Sequence, residues 1–191
     1  MKNCMLDDIS EVFFSKEQLA EITARIGAQI SEDYKDKKLM LVCVLKGSVM
    51  FMSDLMKNIT IPCSIDFLAA ESYGSRTKSS GEVKITKDLS EDIRGYDLVI
   101  VEDILDSGKT LKKLTEFLKM KEPSSITICT LLDKPARREV DIAAKYIGAQ
   151  VKDEFVVGYG LDYNQRYRNL PFIGILKPEA VNRIQEEKQQ A

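Results

Sequence analysis

The sequence predicts an α/β fold in which a parallel-rich, twisted sheet is flanked by helices. Three runs have the length and apolar content of buried strands, at 39–45, 97–104 and 126–132. Segments with helical spacing of apolar residues alternate with these runs. Strands that alternate with helices favour parallel pairing with helices on both faces of the sheet.

The elements follow one another in a regular order along the chain. A first helix is predicted to begin at Ser15, which forms a capping box with Gln18. Its apolar face is formed by Leu19, Ile22, Ile26 and Ile30. Residues 49–57 predict a second helix, whose methionines are expected to fill the core or a subunit contact. Residues 62–70 predict a further strand.

Composition is that of one globular domain, residues 1–191, with 44% hydrophobic and 30% charged residues. The net charge of -2 gives no basic field that would attract nucleic acid or anionic lipid. The pairs Lys112-Lys113 and Arg137-Arg138 are interpreted as solvated surface. The sequence has neither an apolar run of membrane-spanning length nor the apolar segment of a signal peptide, so a cytoplasmic location is expected.

Cysteine and histidine content limits the possible chemistry. The four cysteines, at positions 4, 43, 63 and 129, include no closely spaced pair typical of zinc or redox sites. Cys43 and Cys129 lie within apolar runs and are predicted to be reduced core thiols. Because histidine is absent, acid-base chemistry must use carboxylate, lysine or tyrosine side chains.

The run VEDILDSGKT, residues 101–110, carries the most specific signal. The acids Glu102, Asp103 and Asp106 stand where a buried strand ends, and open α/β sheets bind ligands beyond such ends. Small residues and then the helical pattern LKKLTEFL follow. The start of that helix offers free N–H groups and a positive dipole end to an anion, most simply a phosphate.

Two other interpretations of this run are a nucleotide-binding loop and an ordinary strand end. A nucleoside-triphosphate loop would need glycine five residues before Gly108, where Asp103 stands, so we reject it. An ordinary solvated strand end with helix-capping residues is the alternative. Three carboxylates so close together are costly unless a metal or polyhydroxyl ligand uses them, which favours a sugar phosphate.

With its surroundings, this run resembles the phosphoribosyl-pyrophosphate motif of type I phosphoribosyltransferases. LKGS at 45–48, ESYGSRTKSSGEVKI at 71–85, LLDKPARR at 131–138 and FVVGYGLDY at 155–163 resemble the bacterial hypoxanthine-guanine members, in the same order. The resemblance implies the type I phosphoribosyltransferase fold, with a small hood and a flexible lid loop.

The resemblance also implies a reaction in purine salvage. Ribose 5-phosphate would pass from phosphoribosyl pyrophosphate to N9 of hypoxanthine or guanine with Mg²⁺ present, giving IMP or GMP and pyrophosphate. The implied assembly is a homodimer or homotetramer, without nucleic-acid or membrane partners. Two rivals remain open, namely transfer to xanthine or a pyrimidine, and a phosphoribosyl-pyrophosphate-sensing regulator of the same fold that binds nucleic acid.

On the sugar side, the resemblance makes Asp106 the general base that takes the purine N7 proton, aided by the like charges nearby. Glu102 and Asp103 would accept hydrogen bonds from the ribose hydroxyls and order magnesium. The N–H groups of 106–110 would hold the 5-phosphate, without need of the Lys109 ammonium. The implied substrate-binding run is Glu102, Asp103, Ile104, Leu105, Ser107, Gly108, Lys109 and Thr110.

The resemblance assigns the remaining ligand contacts to three regions. Lys46 and Gly47 match a pyrophosphate-binding loop that follows a non-proline cis peptide, and Arg168 matches an arginine that binds pyrophosphate. For the purine, the matching residues are Lys134 as donor to O6, Phe155 as stacking ring, Val156 through its main chain, and Asp162 as a carboxylate reaching a second magnesium. Without the resemblance, each of these last four would be given an ordinary structural role.

The segment 72–82 is long and rich in small residues, with glycines near both ends. By composition it is a lid or a loose surface hairpin. The resemblance favours a lid that closes over the reacting centre, with Ser72 and Tyr73 near the pyrophosphate. Arg76 and Lys78 depart from the smaller or acidic residues expected there, which bears on the details of the lid and not on the assignment.

Overall fold

The computed structural model describes the backbone of residues 5–75 and 78–189 and, within them, the side chains outside 71–83 and 189. The elements, in chain order, are β1 Ile9–Phe14, α1 Lys16–Asp33, β2 Leu39–Leu45, α2 Val49–Lys57, β3 Cys63–Ser75, β4 Lys78–Lys87, β5 Asp97–Leu105, α3 Lys109–Lys119, β6 Ser125–Asp133, β7 Tyr146–Gln150, β8 Val156–Val157, β9 Ile173–Leu176 and α4 Pro178–Gln189.

Six strands form the central sheet, in the order β4-β3-β2-β5-β6-β7. Strand β2 pairs in parallel with β3 and β5, and β6 pairs in parallel with β5 and β7. Only β4, at one edge of this sheet, is antiparallel to its neighbour β3. The predicted parallel-rich α/β sheet is confirmed, and the runs at 39–45, 97–104 and 126–132 form its three adjacent central strands.

Helices cover both faces of the sheet because its inner strands are apolar on both faces. Alternate residues of β2, such as Leu41 and Cys43, pack with α1 and α2. Their neighbours Met40 and Val42 pack with α3 through Leu111, Leu114 and Leu118. This two-sided burial explains why the central strands are continuous apolar runs rather than alternating ones.

A second sheet of three antiparallel strands, in the order β1-β9-β8, forms the hood. Strand β9 pairs with β1 and β8, so the beginning and the end of the described chain meet in one sheet. Val156, at the start of β8, packs in the same apolar cluster as Leu41 of the central sheet. The hood therefore rests on the central sheet, next to the carboxyl ends of its strands.

Several local predictions are confirmed. Ser15 caps α1, with its Oγ accepting from the Gln18 N–H at 3.3 Å and its own N–H donating to Gln18 Oε1 at 2.8 Å. Cys43 and Cys129 are buried free thiols. In α2, Phe51 and Leu55 are buried, whereas Met50 and Met56 are 40% and 37% exposed, so these two methionines do not fill the core, and their place in a subunit contact stays a prediction. Within the described part of the chain, no helix has the length and hydropathy needed to cross a membrane.

The described parts of the segment 72–82, namely 72–75 and 78–82, lie in the paired strands β3 and β4 of a β-hairpin. Ser72 lies opposite Val83, and Tyr73 lies opposite Glu82. The ladder is irregular between Ala69 and Ala70 and again between Tyr73 and Gly74. The side chains of Ser72, Tyr73 and Lys78, and the whole of Arg76, lie outside the described residues. Closure of this hairpin as a lid stays a prediction.

Candidate active site

The acidic residues stand at the carboxyl end of β5, as the sequence predicts. Glu102 and Asp103 are half-buried, and Asp106 is exposed in the turn that follows the strand. Burial raises the pKa of Glu102 well above its usual range, and the negative charges of Asp103 and Asp106 raise it further. Burial also raises the pKa of Asp103 to about 6, against the opposing effects of the Ile104 N–H and of Arg168.

A tight turn joins β5 to α3. Gly108 has φ +79, and a Cβ on it would lie 2.5 Å from Ile142 Cγ2, so this position favours glycine on both counts. The helix begins at Lys109, whose Nζ forms an ion pair with Glu139. The predicted helix start beside the acids is therefore present, and the Lys109 ammonium is directed to Glu139.

The segment after β6 packs against this turn. The Lys134 N–H donates to the Leu105 carbonyl at 2.9 Å. Arg138, predicted to be solvated, is instead mostly buried, and its guanidinium donates to the Asp106 carbonyl and to the Asp133 carboxylate. The surface interpretation of Arg138 is wrong because the parallel register sets Asp133 opposite Leu105. Lys112 and Lys113 are exposed, as predicted.

Two glycines form close backbone contacts beside the acids, Gly47 with Asp103 and Gly160 with Gly47. The Leu45-Lys46 peptide is cis, as the resemblance implies, and leads into Gly47, while the Lys46 side chain is exposed. A Cβ on Gly47 would lie 1.6 Å from Asp103 Oδ2. A Cβ on Gly160, which has φ +100, would lie 1.9 Å from the Gly47 carbonyl oxygen. The backbone of the Lys46-Gly47 loop is therefore held between Asp103 and Gly160.

Arg168 lies at the same place. Its Nη1 donates to the Gly160 carbonyl at 2.6 Å, and its Nη2 lies 2.8 Å from Asp162 Oδ1. Both side chains are 25% exposed. The structure thus brings the predicted pyrophosphate arginine and the predicted magnesium carboxylate together, as an ion pair.

The predicted purine-binding residues line one cavity of about 440 Å³ beside the acids. Lys134 is 9% exposed, and its Nζ donates to the Glu154 carbonyl at 2.6 Å. Phe155 is 54% exposed at the cavity and meets the Tyr163 ring edge to face, with 5.2 Å between ring centroids. The lining is formed by Asp103, Ile104, Asp106, Lys134, Arg137, Asp153, Glu154, Phe155, Val156, Leu161 and Asp162.

A larger cavity, of about 600 Å³, is lined by Met5 and Asp8, by residues 165–169 and by α4. Four of its charged side chains pair with one another, since Asp8 accepts from Arg183 at 2.8 Å and Glu187 accepts from Arg166 at 2.6 Å. Arg168 also lines it but pairs with Asp162, which lies outside it. This cavity lacks the acids at the end of β5. Chemistry therefore favours the smaller cavity as the candidate site.

The carboxylates of the site could supply some of the ligands of a hard cation but not a complete coordination shell. Among the described residues, no group of three or more His, Cys, Asp or Glu side chains is placed to hold a metal. Glu102, Asp103 and Asp162 do supply oxygen donors, the kind that Mg²⁺ prefers. This donor set suits a Mg²⁺ ion whose other ligands come from substrate phosphates and water.

Comparison with known proteins identifies the family. A family model described as a phosphoribosyl transferase domain matches residues 13–164. The chain belongs to the phosphoribosyltransferase family. It is 53% identical over 175 residues to a hypoxanthine-guanine phosphoribosyltransferase of Staphylococcus aureus, covering 92% of this chain and 98% of that protein. The resemblance to the bacterial hypoxanthine-guanine members is confirmed.

Solved structures agree with this membership. A hypoxanthine phosphoribosyltransferase from Staphylococcus aureus superposes with a TM-score of 0.90 at 52% identity, over 94% of this chain and 98% of that one. A hypoxanthine-guanine phosphoribosyltransferase from Bacillus anthracis, with a HEPES molecule in its active site, gives 0.85 at 44% identity over 88% and 99%. The phosphoribosyltransferase fold is thus present along nearly the whole chain.

Some residues of this phosphoribosyltransferase site are absent from the sequence-based set. Arg137, Asp153, Glu154 and Leu161 line the cavity, and Gly160 supports the Lys46-Gly47 loop. The alternating glycines of the run GYG at 158–160 were a signal of close backbone approach. Asp153 and Glu154 carry no such signal in the sequence, because each has the character of an ordinary acidic loop residue.

Gly160→Ala should destabilise the protein by on the order of 3 kcal/mol, because the new Cβ meets the Gly47 carbonyl and the residue must keep a left-handed φ. Gly95→Ala is the matched control, since Gly95 has φ +76 but nothing within 4 Å of a Cβ. It should cost only about 1 kcal/mol. Urea unfolding measures both, and equal losses would contradict the contact between Gly160 and Gly47.

Asp103→Asn should stabilise the metal-free protein by about 1–3 kcal/mol at pH 8 and by little at pH 4. A carboxyl whose pKa is raised from 3.8 to about 6 on folding resists ionisation in the folded state. Its destabilising effect is therefore present above pH 6 and is relieved as the pH falls towards 4. Urea unfolding in EDTA across this range tests it, and a pH-independent difference would refute the raised pKa.

Proposed function

We propose that this phosphoribosyltransferase acts in purine salvage, transferring ribose 5-phosphate from phosphoribosyl pyrophosphate to hypoxanthine or guanine. The observation that carries the proposal is one cavity lined by Asp103 and Asp106 together with the buried Lys134 and the exposed Phe155 ring. Close relatives with the same fold are named as enzymes of this reaction. The nucleic-acid-binding regulator gains no support from these relatives.

The reaction needs a base and a site that tolerates positive charge. Asp106 stands exposed at the cavity, and we assign it the purine N7 proton as the N9–C1′ bond forms. As the pyrophosphate leaves C1′, positive charge grows on the ribose ring. Glu102 and Asp103 accept hydrogen bonds from the ribose hydroxyls, and their negative potential favours that charge.

The phosphate groups would be held mainly by the main chain. The turn before α3 presents the N–H groups of 106–110 to the 5-phosphate, together with the Ser107 and Thr110 hydroxyls. The Lys46-Gly47 backbone and the Arg168 guanidinium bind the pyrophosphate. Arg168 pairs with Asp162 in this structure, and pyrophosphate would compete for the same donors.

Magnesium fits this site through Glu102, Asp103 and Asp162. When bound, Mg²⁺ neutralises charge on the leaving pyrophosphate. For the purine, Lys134 donates to O6, Phe155 stacks on the ring, and Val156 contributes main-chain groups at the ring edge. The hydrogen bond from Lys134 to the Glu154 carbonyl holds the ammonium at the cavity before the purine binds.

We further propose a homodimer or homotetramer in the cytoplasm. The exposed apolar side chains of Val49, Met50 and Met56 on α2 support a subunit contact there. The buried free thiols of Cys43 and Cys129 suit a reducing compartment. The hairpin of β3 and β4 would close over the bound substrates, with Ser72 and Tyr73 near the pyrophosphate.

Asp106→Asn should lower kcat for hypoxanthine by about 10²-fold or more while leaving the affinity for phosphoribosyl pyrophosphate near that of the parent. Asparagine keeps the side-chain oxygen that accepts from the Ser107 N–H, so the turn should keep its shape. Steady-state kinetics and calorimetry measure the two effects. Asp92→Asn, at an exposed ion pair, is the control, and an unchanged kcat in Asp106→Asn would exclude the base assignment.

Lys134 should make the enzyme reject adenine, whose exocyclic amino group offers donors where hypoxanthine offers an acceptor. We expect kcat/KM for hypoxanthine to exceed that for adenine by at least about 10²- to 10³-fold. Lys134→Ala should narrow this ratio, and Lys145→Ala, in a surface pair with Asp33, should not. Radiolabelled hypoxanthine, guanine, xanthine and adenine, assayed for nucleotide formation, test both the specificity and the function. Equal use of adenine would refute them.

A further inference from the structure

Residues 105–107 lie where β5 passes into the turn before α3, and their three consecutive carbonyls accept hydrogen bonds from one short segment of chain, residues 134–139. The Lys134 N–H donates to the Leu105 carbonyl at 2.9 Å, and the Glu139 N–H donates to the Ser107 carbonyl at 3.0 Å. Between them, the Arg138 guanidinium donates to the Asp106 carbonyl. The two outer bonds come from the main chain, so Arg138 is the only side chain in this set of three.

Arg138 is itself fixed by a buried partner. Its Nη2 donates to Asp133, and the two side chains are 18% and 7% exposed. Asp133 is the last residue of β6 and pairs in register with Leu105, the last residue of β5. The guanidinium therefore spans the ends of two adjacent strands, and its charge-assisted bond to Asp133 is largely shielded from water. A surface pair such as Arg94 with Asp92, at 69% and 60% exposure, has no such shielding.

The direction of these carbonyls sets the direction of the neighbouring N–H groups. In a trans peptide, the carbonyl of one residue and the N–H of the next point in opposite directions. Holding the carbonyls of 105–107 towards residues 134–139 turns the N–H groups of 106–108 to the opposite side. The proposed function assigns these N–H groups to the 5-phosphate. In this structure the Ser107 N–H donates to the carboxylate of Asp106, so the phosphate would compete with that side chain for it.

We propose that Arg138 is a positioning residue that aims the phosphate-binding N–H groups of the turn, although it does not contact the substrate. This inference rests on the proposed function and deepens it. Without the guanidinium, the Asp106 peptide is free to rotate, and the energy of phosphate binding must then also order the turn. Loss of the guanidinium should weaken the affinity for phosphoribosyl pyrophosphate more than the affinity for the purine, because Lys134 keeps its own hydrogen bonds to Leu105 and Glu154.

The test removes the guanidinium without leaving a buried charge. Arg138→Gln alone would strand the Asp133 carboxylate, so it is combined with Asp133→Asn. We expect the double variant to weaken the affinity for phosphoribosyl pyrophosphate with Mg²⁺ by roughly 10-fold or more, the size expected for one charge-assisted hydrogen bond. The KM for hypoxanthine should change by less than about 3-fold. Calorimetry, kinetics and urea unfolding report affinity, KM and stability separately.

Arg138→Lys is the second variant, because lysine keeps the charge beside Asp133 but offers no forked pair of donors. It should fold with nearly the parent stability and lose part of the affinity for phosphoribosyl pyrophosphate. Arg94→Gln, at the exposed pair, should leave affinity and KM unchanged.

Parent affinity for phosphoribosyl pyrophosphate in a folded double variant, or in Arg138→Lys, would overturn the positioning role. A weakening of the affinity for phosphoribosyl pyrophosphate matched by an equal rise in the KM for hypoxanthine would also overturn it, since that result would show general disruption of the site. Failure of the proposed function gives a different result. The parent protein would then bind phosphoribosyl pyrophosphate in calorimetry but form no nucleotide from hypoxanthine or guanine, and the affinity comparison between variants would still stand.

Discussion

Strand β5 lies between β2 and β6, is parallel to both, and is buried on both faces, so the chain leaving it emerges between the ends of its neighbours. Because the three strands are parallel, they run in the same direction, and their carboxyl ends lie at the same edge of the sheet. The Lys46-Gly47 loop, the acids of β5 and Lys134 come from these three strand ends. Residues from three separate parts of the sequence thus lie at one edge of the sheet because of one arrangement of strands.

This arrangement places negative charge where the folded protein tolerates it poorly. Burial raises the pKa of both Glu102 and Asp103, which means that their ionised forms are destabilised in the folded protein. Asp103 gains partial compensation from Arg168 and from the Ile104 N–H. A cation in the site would supply the rest, so these acids contribute to ligand binding at the expense of stability. Gly47 packs against Asp103, and Gly160 packs against Gly47, so close backbone packing holds Asp103 in place despite that cost.

The predictable part of the fold is the part with strong local patterns. Strands β2, β5 and β6 are apolar on both faces, and α1 has a capping box, so each is visible in a short window of sequence. The hood strands β8 and β9 have only two and four residues, and β9 pairs with β1 across most of the chain. Such strands are defined by long-range pairing rather than by composition. The segment 72–82 has loop-like composition, but its described parts, 72–75 and 78–82, belong to β3 and β4, so pairing along the sheet edge outweighs local preference there.

The candidate site divides in the same way. Acids and small residues of the turn are predictable because their chemistry lies in consecutive positions, and the resemblance adds Lys134, Phe155 and Arg168. The role of Arg138 cannot be seen in a window of sequence, because Arg137-Arg138 has the composition of a solvated face. Its two acceptors are a main-chain carbonyl, which any residue carries, and Asp133, which the register of β5 with β6 brings beside the turn. A positioning residue of this kind is defined by strand register, so only the folded chain reveals it.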